Sequence, residues 1–288
     1  MRAIYKKEMR SYFHSVAAYI FLALFLAASG IYFSVICMGY GYTDYSAYIF
    51  SNITILYIVI VPILTMRLLA EEKKQKTDQI LLTAPVRVSS IVLGKYLAVL
   101  TLLLAAVAIS FCQAGVLSFY GTVNWKTVLT GGLGYFLLGA CLLAIGLFIS
   151  ALTDNQVISA ALSFGAVLLC MMLPNISGQV PERARYTYLL CGIVVFALAA
   201  FFYTQSKSLL AGGVILFGGG GAVIAASVLK PELFDNGLSK IIDWFSVTDR
   251  FTDFCSGVLN ASSVVYYVSF SAVFVFLTIW VTEKRRWS

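Results

Sequence analysis

The residue types that perform chemistry are scarce in this 288-residue sequence. Its only histidine, His14, stands at the start of an apolar stretch, so any histidine-dependent nucleophile would have to converge on that one ring. The six cysteines, Cys37, Cys112, Cys141, Cys170, Cys191 and Cys255, include no CxxC pair, and most sit inside apolar runs. They read as small buried hydrophobes and not as a disulfide frame or a metal site. The glycine-rich run GGVILFGGGGA (Gly212–Ala222) lacks the Lys-Ser/Thr ending of a phosphate loop and reads as close helix packing or a break. There is no Walker motif, no HExxH and no pair of carboxylates within an apolar run. No catalytic, cofactor-binding or metal-binding residue is therefore assigned, and the sequence predicts a chain that is not an enzyme by itself.

Polar chemistry is concentrated instead in one stretch, RLLAEEKKQKTDQILLTAPVR, from Arg67 to Arg87. Glu72 precedes Lys76 by four residues, an orientation that supports a helix. Pro85 disfavours helix at Ala84 and ends the segment. The stretch is either the wetted link between two apolar runs or a surface to be gripped, and periodicity alone allows both.

The elements that must position these residues follow from composition. The chain is 60% hydrophobic and only 11% charged, whereas soluble domains are roughly half apolar and about a quarter charged. Such a chain could not cover a water-soluble fold, so it is an integral membrane protein. The net charge of +7 does not indicate nucleic acid, because the basic residues punctuate apolar runs and do not gather on one folded face. The uncharged run from Val16 to Met38 is longer than a signal-peptide core and predicts a retained anchor.

A spanning helix satisfies its backbone internally and needs roughly 20 apolar residues. Eight candidates occur, at about 16–38, 51–69, 89–118, 127–151, 156–173, 187–204, 208–228 and 262–281. Pro62 predicts a kink in the second. Charged residues in these runs stay near the ends, as with Arg67, Lys95 and Arg185. With the N-terminus inside, fourteen of the twenty Lys and Arg residues fall on inner segments, which predicts that both termini are cytoplasmic. On the outer side, 230–261 places Leu238, Ile241, Ile242 and Phe245, then Phe251, Phe254 and Val258, at helical spacing. That pattern predicts amphipathic helices at the interface.

The run LTMRLLAEEKKQKTDQILLTAPVRVSSIVLGKYLA resembles the region after the second span in permease subunits of ABC-2 type transporters, particularly the gliding-motility-associated and copper-processing branch. There the pattern is approximately E-E-x-x-x-G-T-x-E-x-L-L-x-x-P-V. Glu71, Glu72, Thr77, Leu81, Leu82, Pro85 and Val86 match it, while Lys76 stands in place of Gly and Gln79 in place of Glu. LTDNQVISAALSF (Leu152–Phe164) is similar to the family's short inner turn between spans four and five. YKKEMRSYFHSVAAYIF is similar to its N-terminal interfacial helix and first span, and the segment from Ile242 to Trp287 resembles its outer interfacial region, last span and basic tail.

The resemblance implies an all-α polytopic membrane protein, a single ABC-2 (type V exporter-like) helix bundle over 1–288. The family's six spans would be joined by an inserted hairpin at 187–228, giving eight. Residues 1–15 would form a cytoplasmic interfacial helix, 67–87 the cytoplasmic coupling segment and 230–261 the outer interfacial segment. The chain would be the permease subunit of an ATP-binding cassette transporter in the cell (inner, cytoplasmic) membrane. Its partners would be a cytoplasmic ATPase subunit, a second permease chain of the same or a homologous kind, membrane lipid and an extracytoplasmic accessory protein. ATP and magnesium would be bound by the ATPase and not by this chain. By the same resemblance Glu71, Glu72, Lys73, Lys74 and Thr77 would contact the ATPase, with Leu81, Leu82 and Pro85 transmitting its movement. Thr153, Asp154, Asn155 and Gln156 would form a second, smaller contact. Reversing Glu71 and Glu72 to Lys is then expected to uncouple ATP hydrolysis and leave insertion intact. The residues assign neither a substrate site nor a cargo. A stand-alone secondary carrier, a membrane-embedded enzyme and a structural or mechanotransducing partner are the other readings the residues leave open.

Overall fold

The computed structural model of the chain describes residues 1–14, 16–77, 86–177 and 237–287. Among these residues every regular element is helical. The chain divides into a larger unit, Met1–Met171 with Val247–Ser288, and a smaller one, Met172–Ser246. We label the helices α1 (Arg2–His14), α2 (Val16–Tyr32), α3 (Tyr57–Thr65), α4 (Ala70–Lys74), α5 (Val88–Leu117), α6 (Trp125–Leu152), α7 (Gln156–Ser177), α8 (Gly237–Phe245), α9 (Asp249–Cys255) and α10 (Ala261–Trp287).

Among the described residues six helical stretches are long and apolar enough to cross a membrane: Ala18–Gly39, Ser46–Lys74, Val88–Leu117, Trp125–Leu152, Gln156–Ser177 and Ala261–Arg286. They coincide with the first five expected spans and the last. The expected sixth and seventh, at 187–204 and 208–228, lie outside the described residues. The second span is longer and less regular than its apolar run suggested. It enters as a π-helical turn at Ser46–Phe50, tightens to a 3-10 turn at Thr54–Leu56, carries Pro62 within α3, and ends in α4.

The larger unit is built around α6. Gly139 lets α3 approach closely, because a methyl group there would run into the Tyr57 hydroxyl and Leu103. Small residues at such contacts are what allow helices to pack in a bilayer, where no hydrophobic force drives them together. Tyr57 stacks on Tyr135 at 4.6 Å between ring centroids and donates its hydroxyl proton to the Tyr135 carbonyl at 2.7 Å. Tyr96 donates likewise to the carbonyl of Ala140 at 2.8 Å. A phenol buried in a hydrocarbon core must find an acceptor, and a helix carbonyl offers a second lone pair. At one end of the unit Tyr45 donates to Gln113, and Gln113 to Ser29, joining spans two, three and one. On α9, Phe251 and Phe254 are buried, and the Phe254 carbonyl accepts from Thr130 at 3.0 Å. Val258, expected to extend that helix, lies beyond it and is exposed. In the smaller unit, α8 presents Trp244 and Phe245 as an exposed, edge-to-face pair.

Candidate functional site

At the opposite end of the larger unit the residues of the charged stretch meet α1 and the ends of three spans. α4 is only five residues long, and a helix that short cannot hold itself in water. Its position is set from outside, and each tether is visible.

The N-terminal side is capped by another helix. A helix start leaves its first N–H groups without intrahelical acceptors, and here the Leu69 and Ala70 amides both donate to Ser150 Oγ of α6, at 3.2 and 3.1 Å. Ser150 is fully buried. One turn on, Lys73 Nζ donates to the carbonyls of Ala151 and Thr153, and its ammonium lies 3.6 Å from the Asp154 carboxylate. These carbonyls belong to the C-terminal end of α6, where unsatisfied C=O groups and the helix dipole favour a cation.

The other flank is held by a buried ion cluster. Lys95 of α5 is 1% exposed, and its ammonium lies 2.9 Å from both Glu8 of α1 and Glu72 of α4. Lys7 reaches Glu72 at 3.3 Å from the rim. Arg67 forms a two-pronged pair with Glu71, at 2.8 and 3.2 Å. Between α1 and α4 lies a cleft of about 280 Å³, lined among others by Lys7, Glu8, Tyr12, Arg67, Glu72 and Lys95. Tyr12 is buried beside it and donates to the Leu64 carbonyl at 3.1 Å. Burial, with Glu8 adding to it, pushes the Tyr12 phenol well above its ordinary range, so it acts as a neutral donor.

α4 ends in a Schellman turn. The Thr77 amide bonds to the Glu72 carbonyl and the Lys76 amide to that of Lys73, and Lys76 has φ of +56°. This is the left-handed position at which helices usually place glycine. The departure from the family pattern at Lys76 thus falls on the residue whose backbone favours Gly.

The structure joins the two expected contacts into one surface. Lys73 of the first touches Ala151, Thr153 and Asp154 at the second, and Asp154 accepts from Arg285 of α10 at 2.6 Å. Arg285, and after it Lys73, hold the Asp154 carboxyl below its usual pKa. Asn155 is a cap: its side chain accepts from the Val157 amide at 2.9 Å and starts α7. Thr153 donates back to the Ile149 carbonyl, and Gln156 is the first residue of α7. Lys74, Gln75, Lys76 and Thr77 are exposed, whereas Glu71, Glu72 and Lys73 are turned partly inward. Leu81, Leu82 and Pro85 lie outside the described residues. α1 and the end of α10 sit on the same platform, so both ends of the chain are at one end of this unit.

Among the described residues most others with chemical potential are occupied or buried. His14 Nδ1 lies 2.8 Å from the Arg10 carbonyl, a contact that only a protonated Nδ1 can make as a donor. Cys37, Cys141 and Cys255 are buried, Cys170 is half-buried and Cys112 is exposed on α5. Burial raises the Cys255 thiol to about 11, which makes it a poor nucleophile. Among the described residues no three His, Cys, Asp or Glu side chains converge as metal ligands. The residues the sequence reading missed are Ser150, Glu8, Lys95 and Arg285. Lys95 carried a signal as a lone cation inside an apolar run; Ser150 carried none.

The family model described as "ABC-2 family transporter protein" matches residues 2–282. No curated protein matches the chain. The chain belongs to the ABC-2 transporter family, a family of permeases, and the six apolar helices among its described residues make it a multi-pass membrane protein.

Proposed function

We propose that this ABC-2 permease is the membrane-spanning part of an ATP-binding cassette transporter, driven by a separate cytoplasmic ATPase that docks on the platform around α4. The observation that supports this best is the Lys73 junction. It fuses the segments that resemble two separate ATPase contacts into one surface tied to spans two, four and the last. A connector needing only solubility requires no such anchoring.

On this reading the platform residues divide their work. Glu72 and Lys73 anchor α4 to the bundle and Glu71 pairs with Arg67 just before it, while Lys74, Lys76 and Thr77, all exposed, meet the ATPase together with Asp154 and its neighbours. The turn containing Leu81, Leu82 and Pro85 passes the movement on. ATP and magnesium are held by the partner, and hydrolysis takes place there. Both termini are cytoplasmic, the membrane is the cell membrane, and a second permease chain completes the translocation path for exported cargo. An extracytoplasmic accessory protein and the gliding-motility-associated and copper-processing branch fit the same order of segments.

The anchoring changes which substitution tests the reading. Glu72→Lys would place a second cation beside buried Lys95 and damage the fold, so reversing Glu71 and Glu72 confounds docking with stability. Lys74→Glu with Lys76→Glu alters only exposed positions. Affinity purification of the wild-type chain from its own membrane in mild detergent should bring an ATPase in near-equal amount. The double reversal should insert normally and lose that subunit. A wild-type chain that purifies alone with ATP present refutes the reading and moves a stand-alone carrier ahead.

A further inference from the structure

Lys95 is the most deeply buried charge among the described residues, at 1% exposure. It is the eighth residue of α5, hence roughly 10 Å along a membrane span at 1.5 Å per residue. An unpaired cation within a span is costly, by roughly 2.5–3.5 kcal/mol on insertion scales at the centre and by less toward the end, where Lys95 stands. Here the cost is offset by two carboxylates, each 2.9 Å away. Removing Lys95 alone would leave two carboxylates unpaired, yet buried ion pairs exchanged as a whole for apolar residues of similar volume often lose no stability. Stability alone therefore does not account for Lys95.

What an ammonium provides is three donors on one atom, which lets it clasp two acceptors from different elements. Glu8 belongs to α1, the helix before the first span, and Glu72 to α4. The helix–helix approach beside it is close: a methyl group on Gly94 would press on Ile4 of α1 at 3.1 Å. α4 thus has two exits for a force applied to it. One runs through Ser150 and Lys73 to α6, and through Asp154 to α10. The other runs through Glu72 and Lys95 to the base of span three and to α1.

We infer that Lys95 is a positioning residue for energy coupling: it clamps the docking helix α4 and the membrane-entry helix α1 to span three, so that movement imposed on α4 reaches all three as one body. The inference rests on the proposed docking of an ATPase at α4, and adds the route by which docking acts on the membrane.

The test uses the whole complex in lipid nanodiscs. Lys95→Met combined with Glu8→Gln removes the clamp and leaves Glu72 paired with Lys7, 3.3 Å away, so the cluster stays as neutral as before. The expected result is the wild-type amount of co-purified ATPase, with the permease-dependent part of ATP turnover reduced about fivefold or more, the low end of typical coupling between sites. Wild-type turnover in the double variant overturns the inference and leaves the docking reading standing. Absence of any ATPase from the wild-type complex overturns the docking reading and this inference with it. Hydrogen exchange on the unmodified complex needs no variant. On trapping with ATP and vanadate, the amides of α1, α4 and the first turns of α5 should change together. A change at α4 alone overturns the inference.

Discussion

Replacing Ser150 with Ala should loosen α4 without unfolding the bundle, and the size of the effect follows from the geometry. One hydroxyl oxygen accepts from two amides, those of Leu69 and Ala70, at 3.2 and 3.1 Å. Both residues are buried, at 6% and 0% exposure, so water cannot take over when the oxygen is removed. Loss of a Ser cap typically costs about 1 kcal/mol and at most about 2. A buried donor left without an acceptor costs about 1–3 kcal/mol. Because the two amides share one acceptor, the costs do not add in full, and about 1–2 kcal/mol is expected, a factor of roughly 5–30 in the opening equilibrium. The assay is amide hydrogen exchange at Lys73 and Gln75, whose N–H groups close the turns onto the Leu69 and Glu71 carbonyls. Exchange there should accelerate by that factor, while amides in the middle of α10 keep their wild-type rates. Unchanged exchange at both residues in a folded Ser150→Ala protein would refute the view that α6 holds α4 in place.

Other substitutions probe the neighbouring contacts. Lys76→Gly removes a side chain from a left-handed position and should stabilise the α4 turn by about 1 kcal/mol, seen as slower exchange at Thr77. Gly139→Ala drives a methyl group into Tyr57 and Leu103 and should cost about 1–3 kcal/mol of overpacking, read as a lower melting temperature in detergent. Asp154 has its pKa lowered by Arg285 first and Lys73 after it. Its stabilising effect is therefore complete above the ordinary value of 3.8 and fades as pH falls through the lowered folded-state value. The melting difference between wild type and Asp154→Asn should be constant at neutral pH and close only below that ordinary value; a difference that closes above it counts against the pairing.

Much of the fold was legible because a bilayer accepts so few solutions. Any uncharged run of sufficient length must be a helix, so five spans and the last could be placed from hydrophobicity, with ends shifted by a few residues. The second span shows the limit: its π and 3-10 turns at Ser46–Phe50 and Thr54–Leu56 leave no trace in hydrophobicity. The site was legible in part. The charged stretch and the turn at Thr153–Gln156 stood out by resemblance and polarity, yet nothing along the chain said that Lys73 and Asp154 touch. Nor could charge distinguish Glu72, held inward by a buried lysine, from exposed Lys74 two residues on. That difference depends on which face of a five-residue helix meets α5.

Composition and apolar run length, by themselves, fixed this as a polytopic membrane protein with its polar residues gathered in a few links, because charge inside hydrocarbon is too costly to scatter. The order of its segments carried the ABC-2 resemblance that the family match over residues 2–282 bears out. Tertiary structure alone decided how the links are used. Ser150 is an ordinary serine until the start of α4 is packed against it, and Lys95 is a misplaced charge until Glu8 and Glu72 arrive from positions 87 and 23 residues earlier in the chain. Such roles rest on donors and acceptors meeting within about 3 Å in a place without water, and only the folded bundle brings them there.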